Sequence, residues 1–397
     1  LRLGAGERND EQVTDSPVFR EPLHVGRPNI GSRARLTERL EGALDRLYLT
    51  NGPLVREFEE RLAEVAGVDH CVAVCNATIG LQVAAKAAGI RGGDEVIVPA
   101  FTWVATAAAL DWIGIVPVFC DADETTGNID WTKVEALIGP RTRGIMGVHV
   151  FGRPCEVDEL EEIAGRHGLP LLFDSAHAIG CTYKGRPVGG FGTAEVYSFH
   201  ATKFVNSFEG GAIVTRDAEF AERCRELRNF GITSAGEIRS GGTNAKMNEA
   251  AAAMGLTSLE VMDSLMEANR INHGRYEKGL DGLPGVWVRG QAEGERANHQ
   301  YLVIEIDAAV AGIHRDEVHT ALIAQNVLSR RYFHPSCHQV EPYLSDPARH
   351  APHPLPHAEA LAERVLALPT GTTVGPSEID QVCDIIRRCV SARTPAR

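Results

Sequence analysis

Residues 71–89 read CVAVCNATIGLQVAAKAAG, an apolar run followed at once by a helical pattern. Residues 71–75 have the composition of a buried strand, and residues 78–88 that of a helix ended by Gly89. The same alternation of short apolar runs and amphipathic stretches extends outward over about residues 67–215. It is typical of an α/β domain with a largely parallel sheet.

Further elements of this domain follow from the same patterns. The predicted strands are residues 95–98, 117–120, 143–150 and 170–173, and the predicted helices are one from Thr102, one from Trp131 and Val157–His167. A longer helical pattern covers residues 249–270, and mixed elements such as 301–306 and 317–325 come after it. We therefore predict a second, smaller domain that one long helix joins to the first.

The composition and net charge of the chain limit the classes of function that it can have. Of the 397 residues, 44% are hydrophobic and 23% are charged, as in ordinary globular enzymes. The net charge of −13 argues against nucleic acid or an anionic membrane as a partner, although a few local Arg and Lys residues could still bind an anionic small substrate. The sequence shows neither a signal-peptide pattern nor an apolar run of membrane-spanning length, and we interpret residues 1–16 as a mobile tail.

The nine cysteines are scattered and odd in number. Cys71 and Cys75 are the closest pair, and no second pair with zinc-like spacing follows them. This pattern predicts neither a metal site nor a disulfide framework. It favours the reducing cytoplasm as the location of the protein.

Two side chains are candidates for chemistry at the carboxyl ends of the predicted strands, where open α/β sheets bind ligands. Asp174, in FDSAHAIG, directly follows a buried strand; it could cap a helix or pair with a cationic ligand atom. Lys203, in SFHATKFVNSFEGGAIVT, lies among Phe199, Phe204 and Phe208. Most lysines are solvated, but apolar surroundings disfavour the ammonium form and make the amine a usable nucleophile.

A third candidate is the turn Asn76-Ala77-Thr78 between the first strand and its helix. Free backbone N–H groups at a helix start, with the Thr78 hydroxyl, can bind an anion, although such residues also cap many helices without a ligand. Together with Asp174 and Lys203, this turn meets the needs of pyridoxal phosphate (PLP), which requires a phosphate site, an acid for its ring nitrogen and an amine for its aldehyde. A nicotinamide cofactor is rejected, because the turn has no G-x-G-x-x-G motif.

The chain resembles the DegT-type sugar-nucleotide aminotransferases, a branch of the fold-type-I PLP-dependent transferases, over about residues 24–382. The resemblance rests on the motifs GPLVREFEERLAEVAGV (52–68), GGDEVIVPAFTWVATAAAL (92–110), PVFCDAD (117–123), VHVFGRP (148–154), FDSAHAIG and SFHATKFVNSFEGGAIVT. It implies a large domain with a mostly parallel central sheet and a smaller C-terminal α+β domain. We place a tail at residues 1–23, the large PLP-binding domain with an N-terminal arm at 24–260, and the small domain at 261–397.

The resemblance also implies roles for individual residues. Lys203 would carry the cofactor as a Schiff base, and Asp174 would pair with the pyridine nitrogen. Trp103 would stack on the cofactor ring, and His177 would lie near the ring hydroxyl, where many relatives have Gln. The phosphate ligands would be Ala77, Thr78 and Ser198. Asn244, in GGTNAKMNEAAAA, would reach the phosphate from the neighbouring subunit, which implies a homodimer with shared active sites.

Two segments depart from the family pattern. The phosphate turn usually reads Ser-Gly-Thr, which leaves the role of the Asn76 side chain open. The segment RRYFHPSCHQVEPY (330–343) differs from the usual Tyr–Pro–His spacing by about one residue. This match, shifted by one residue, is the basis for placing three residues on the substrate side: Tyr332, His334 and His338.

The segments HVGRPNIG (24–31), LTNGPLV (49–55) and RRYFHPSCHQ are most similar to enzymes that act on nucleotide-linked 4-keto-6-deoxyhexoses. The resemblance thus implies amino transfer from L-glutamate to a nucleotide-linked keto-deoxysugar in aminosugar and secondary-metabolite biosynthesis, with dTDP-4-keto-6-deoxyglucose as the expected acceptor, at C4. A sugar C3 or cyclitol aminotransferase is an alternative, followed by a PLP-dependent sugar dehydratase and a non-catalytic regulatory protein. Sugar 3-dehydratases of this kind have His in place of the lysine, so Lys203 favours transamination.

Overall fold

The structure is a computed structural model that describes residues 17–392. The N-terminal arm contains β1 (Leu23–His24), α1 (Arg33–Asp45) and α2 (Pro53–Ala66). The following elements are β2 (His70–Val74), α3 (Ala77–Ala87), β3 (Glu95–Pro99), α4 (Ala105–Asp111), β4 (Val116–Cys120), α5 (Trp131–Val134), β5 (Thr142–Val148), α6 (Val157–His167), β6 (Leu171–Asp174), β7 (Thr182–Tyr183), β8 (Arg186–Pro187), β9 (Ala194–Ser198), β10 (Gly211–Thr215), α7 (Ala218–Arg228) and α8 (Glu249–Leu259).

The C-terminal elements begin with α9 (Met262–Leu280). After it come β11 (Val286–Val288), β12 (Leu302–Ile306), α10 (Ala308–Ala311), α11 (Arg315–Ala324), β13 (Val327–Leu328), α12 (Pro347–His350), α13 (Pro356–Arg364), β14 (Val365–Leu368) and α14 (Pro376–Ser391). Short 3₁₀ helices lie at Glu135–Leu137, Val150–Gly152, Cys337–Gln339 and Tyr343–Ser345.

Seven strands form the central sheet in the order β2-β10-β9-β6-β5-β3-β4. The pairs β3·β4, β3·β5, β5·β6 and β6·β9 are parallel, whereas β10 is antiparallel to both β2 and β9. The predicted α/β class with a mostly parallel sheet is confirmed. Because the parallel strands end at one edge, the loops after β2, β3, β6 and β9 converge there.

Two apolar cores lie on opposite faces of this sheet. In β2, Val72 and Val74 belong to one core, and Cys71 and Ala73 belong to the other, because successive side chains of a strand point to opposite faces. A third core lies between the antiparallel sheet β11-β12-β14 and the helices α9, α11 and α14.

The prediction of one long helix over residues 249–270 is wrong. The helix α8 ends at Leu259, Val261 leaves the helical conformation with φ −111° and ψ 8°, and α9 begins at Met262. The two helices pack against different partners, α8 against α1 and α2, and α9 against α14 and β11. The chain must therefore turn between them, and the apolar pattern of the sequence does not contain this information.

The N-terminal and C-terminal segments both contribute side chains to these cores. Phe333, Tyr343 and Leu361 pack into the core on one face of the central sheet. Phe19 packs into the third core, and β1 pairs in parallel with β13. Within the predicted tail of residues 1–23, Phe19 and Leu23 thus pack against the third core, while residues 1–16 lie outside the described residues. The domain boundary at residue 260 stays a prediction.

Two further findings concern residues 17–392 as a whole. None of their helices combines the length and the apolar character that a membrane crossing needs. Within the same range no group of three or more His, Cys, Asp and Glu side chains is arranged to hold a metal ion, and the nine cysteines are free thiols.

Candidate active site

The converging loops enclose a cavity of about 530 Å³ at the carboxyl edge of the central sheet. The residues predicted for the site that line this cavity are Ala77, Thr78, Trp103, Asp174, His177, Ser198, Lys203 and Tyr332. They come from the start of α3, the loops after β3, β6 and β9, and the segment after β13. Folding thus brings together side chains that lie far apart in the sequence.

The N-terminus of α3 forms one end of the cavity. The Asn76 side chain caps this helix, since its Oδ1 accepts a hydrogen bond from the Ile79 N–H at 2.9 Å. The N–H groups of Ala77 and Thr78 and the hydroxyls of Thr78 and Ser198 have no hydrogen-bond partner in the described part of the chain. Free donors at a helix N-terminus favour a bound anion.

The start of β10 closes against this turn. A Cβ atom at Gly211 would lie 2.6 Å from the backbone nitrogen of Ala77 and 2.7 Å from the carbonyl carbon of Asn76. These distances are far below van der Waals contact, so position 211 accepts only glycine unless the turn at residues 76–78 shifts.

Asp174 ends β6 and is 7% exposed. Its Oδ2 accepts a hydrogen bond from the Thr106 hydroxyl at 2.8 Å, and its Oδ1 accepts one from the Ala176 N–H at 3.1 Å. Burial raises the pKa of Asp174, while the two hydrogen bonds and the charge of Lys203 act in the opposite direction. A carboxylate can accept further hydrogen bonds, so Asp174 can pair with a cationic group placed in the cavity.

Lys203 is 8% exposed, and its Nζ donates a hydrogen bond to the Tyr301 hydroxyl at 2.9 Å. Burial lowers the pKa of Lys203 to about 8, against a smaller opposing effect of the Asp174 charge. An ordinary lysine is almost wholly protonated at neutral pH. The Lys203 amine has a substantial neutral fraction there and can act as a nucleophile or a base.

The His177 ring is held by the segment after β5. Its Nδ1 accepts a hydrogen bond from the Phe151 N–H at 3.2 Å, and the two rings are stacked at an angle of 4°. Burial lowers the pKa of His177 well below its usual value. A neutral imidazole that accepts at Nδ1 carries its proton on Nε2, so His177 offers the cavity one N–H donor.

Trp103 lies at the edge of the cavity. It is 53% exposed, and its ring centroid is 6.0 Å from that of Tyr332 in an edge-to-face arrangement. The indole is therefore not a core residue, and its broad face is available to a flat ligand.

Three predicted residues lie outside the cavity of their own chain. Asn244 is exposed, and its Oδ1 accepts a hydrogen bond from the Lys246 Nζ at 2.6 Å. His334 lies 3.3 Å from the Glu363 carboxylate, and His338 contacts Glu359 at 3.0 Å. The substrate roles of His334 and His338 stay predictions.

The sequence reasoning missed Tyr301, Thr106 and Phe333. Tyr301 and Phe333 line the cavity, and Thr106 holds Asp174. Thr106 follows Thr102 by four residues, and their hydroxyls are 3.1 Å apart, a spacing that could have indicated a polar helix face. Tyr301 precedes a strand without any distinguishing pattern.

Comparison with known proteins places this chain in a family. The model of the DegT/DnrJ/EryC1/StrS aminotransferase family matches residues 32–387. A dTDP-4-amino-4,6-dideoxy-D-glucose transaminase of Escherichia coli is 35% identical over 370 residues, which cover 92% of this chain and 98% of that protein. A dTDP-3-amino-3,4,6-trideoxy-alpha-D-glucose transaminase of Streptomyces venezuelae is 33% identical over 89% of this chain and 92% of its own.

The fold of a solved structure supports the same relationship. DesI, crystallised in the presence of its TDP-sugar product, superimposes with a TM-score of 0.91 at 55% identity and covers 94% of each chain. The fold and the cavity, with its buried amine at the carboxyl edge of the sheet, therefore define an α/β aminotransferase. The chain belongs to the DegT/DnrJ/EryC1/StrS aminotransferase family.

Proposed function

We propose that this enzyme uses PLP to transfer an amino group from L-glutamate to C4 of a dTDP-linked 4-keto-6-deoxyhexose. One observation carries the proposal: the Lys203 amine, the Asp174 carboxylate and the free donors at the start of α3 face a single cavity. The choice of sugar rests on the E. coli relative, whose name specifies a dTDP-4-amino sugar, and on DesI, which was solved with a TDP-sugar product.

The residues of the cavity fit PLP. The free donors of Ala77, Thr78 and Ser198 would hold its phosphate, and Asp174 would pair with its ring nitrogen. Lys203 would hold its aldehyde carbon. The remaining contacts would be an Nε2–H donor from His177 and the face of Trp103. When bound, PLP supplies an electron sink that stabilises the negative charge left as a proton leaves the amino-bearing carbon.

Lys203 performs the proton transfers in this proposal. Its amine takes the proton from Cα of glutamate in the first half of the cycle and delivers a proton to C4 of the sugar in the second. A pKa of about 8 suits both tasks, since the amine must be able to lose and regain a proton near neutral pH. Asp174 remains ionised opposite a cationic ring nitrogen, because an opposite charge counteracts the effect of burial on its pKa.

We also propose a homodimer in which Asn244 reaches the cofactor phosphate held by the partner subunit. Asn244 is exposed and outside its own cavity, as a residue acting across an interface would be. Large apolar side chains on the same chain, Leu47, Phe208, Phe230 and Ile238, are also exposed. Of these, Phe230 lies beside the segment of Asn244, since its N–H donates to the Thr243 carbonyl at 3.1 Å, so a large apolar side chain is exposed next to the proposed contact.

The proposal is tested with the purified enzyme, PLP, L-glutamate and dTDP-4-keto-6-deoxyglucose. We expect the visible absorption of the bound cofactor to change on adding glutamate, and the product to carry a new amine at C4 by mass spectrometry and NMR. An amine at C3 of the corresponding 3-ketosugar would redirect the assignment toward the activity named for the S. venezuelae relative. Failure to aminate any nucleotide ketosugar would overturn it.

A further inference from the structure

The Lys203 amine has one direct polar contact, the hydroxyl of Tyr301 at 2.9 Å. In residues 17–392 its Nζ makes no other hydrogen bond, and Asp174 influences it through charge alone. A lysine side chain has many rotamers of similar energy. While the amine is not covalently bound to the cofactor, the contact with Tyr301 therefore decides where it lies.

The Tyr301 ring is itself immobilised. Its centroid lies 4.6 Å from that of His177, 5.7 Å from that of Phe151 and 6.0 Å from that of Tyr332. The preceding residue is anchored as well, because the Gln300 N–H donates to Asn298 Oδ1 at 2.9 Å. The hydroxyl is thus a fixed point on the cavity wall rather than a mobile group.

A phenol suits an amine that gains and loses a proton. The hydroxyl can accept a hydrogen bond from the ammonium form and donate one to the neutral form. Burial raises the pKa of Tyr301, so the phenol keeps its own proton throughout the working range of the enzyme.

We propose that Tyr301 is a positioning residue that holds the free Lys203 amine at the site of proton transfer. The inference rests on the proposed aminotransfer and deepens it. Without the hydroxyl, the Lys203 amine samples other rotamers and spends less time at the site of proton transfer. Proton transfer is therefore slower.

The first experiment measures the reactivity of Lys203 itself. Full-length protein, cofactor-free or with PLP and excess L-glutamate, is treated with trace isotopic acetic anhydride from pH 6 to 11, and acetylation of Lys203 is followed by peptide mass spectrometry. The bond to the ammonium form is the stronger of the two, being charge-assisted. Tyr301→Phe should therefore shift the midpoint of labelling to lower pH, by roughly 0.5 to 1 unit.

The matched control is Tyr343→Phe. Tyr343 is also buried, it packs against Phe119, and its hydroxyl has no hydrogen-bond partner among the residues described. Tyr343→Phe tests the loss of a phenol hydroxyl that does not contact Lys203. An unchanged labelling midpoint in Tyr301→Phe would overturn the proposal.

The second experiment measures exchange of the glutamate α-proton with solvent deuterium by the PLP-loaded enzyme. Tyr301→Phe should slow this exchange about tenfold, which is what one buried hydrogen bond is typically worth, while half-saturation by glutamate changes little. No exchange in the wild-type enzyme would refute the proposed function, whereas labelling of the cofactor-free protein would still test the contact between Tyr301 and Lys203.

If Tyr301→Phe does not fold, the test uses protein in which 3-fluorotyrosine replaces all tyrosines. Because the fluorinated phenol is more acidic, it must also shift the midpoint of Lys203 labelling to lower pH. An unchanged midpoint refutes the contact.

Discussion

The Thr106 hydroxyl donates a 2.8 Å hydrogen bond to Asp174 Oδ2, which ties the helix after β3 to the acid at the end of β6. The bond joins the helix that follows β3 to the end of β6, two strands that β5 separates in the sheet, at a residue that lines the cavity. The bond also lowers the pKa of a carboxyl group that burial otherwise raises. Thr106 thus helps to keep Asp174 ionised and oriented.

Thr106→Val should impair this acid without disturbing the fold. Valine has nearly the same shape but cannot donate to Asp174, so the pKa of Asp174 rises further. We expect kcat to fall about tenfold and the acidic limb of the pH–rate profile to move to higher pH. Steady-state kinetics from pH 5 to 9 test this. The control is Thr320→Val, at an exposed position of α11, whose hydroxyl bonds to the Asp316 carbonyl and to no other group among residues 17–392. A profile identical to wild type in Thr106→Val would contradict the role of Thr106.

Lys203→Met should abolish turnover and stabilise the cofactor-free protein. The folded-state pKa of Lys203 is about 8, below the value of about 10.4 for an unfolded lysine, so the ammonium form is disfavoured in the folded state. The resulting cost is fully present below pH 8 and is lost as the pH rises from about 8 to 10.5. We expect a gain of roughly 3 kcal/mol in the free energy of unfolding at pH 7, shrinking toward pH 10.5.

Urea unfolding of cofactor-free wild type and variant at several pH values measures this difference. Lys278→Met, at an exposed position of α9, is the control and should show neither effect. A variant that is less stable than wild type at pH 7, or that retains a few per cent of turnover, would contradict the burial and the catalytic role of Lys203, respectively.

Gly211→Ala should weaken PLP binding. The new Cβ would lie 2.6 Å from the Ala77 nitrogen, and the turn at residues 76–78, which we propose binds the phosphate, must shift to relieve the overlap. We expect the Kd for PLP to rise at least tenfold and stability to fall by about 1–3 kcal/mol. Gly165→Ala, on the open surface of α6 with no atom within 4 Å of its Cβ, is the control for the same substitution. Fluorescence titration with PLP measures the Kd of each variant. An unchanged Kd in Gly211→Ala would show that the phosphate binds elsewhere.

Subunit mixing tests the position of Asn244. Asn244→Asp sets a carboxylate against the phosphate, and repulsion between like charges at short range should inactivate the site. When inactive Asn244→Asp and inactive Lys203→Ala subunits exchange, each mixed dimer has one site with both residues intact if Asn244 acts across the interface. Activity should then return. Continued inactivity after exchange has been verified by native mass spectrometry would show that Asn244 acts within its own chain.

Local patterns in the sequence determined the α/β class of the large domain and three positions that line its cavity. Alternating apolar and amphipathic stretches predicted β2 to β6 and α3 to α6 of this domain, α6 with its observed bounds. Asp174, Lys203 and the turn at Ala77 could be found because Asp174 ends β6, Lys203 lies in the loop after β9 and the turn follows β2. The topology of the sheet sends the ends of these three strands to one edge. A strand–loop boundary is a local feature, and one sequence is enough to find it.

Contacts between distant segments were decided by the tertiary structure alone. No local pattern identifies the partners of Thr106 and Tyr301, since these partners lie 68 and 98 residues away in the sequence. The turn between α8 and α9 depends on which neighbours each helix packs against, and the placement of Phe333 depends on a C-terminal segment folding back onto the central sheet. Periodicity records which face of an element is apolar, but the partner of that face is chosen only when the whole chain packs.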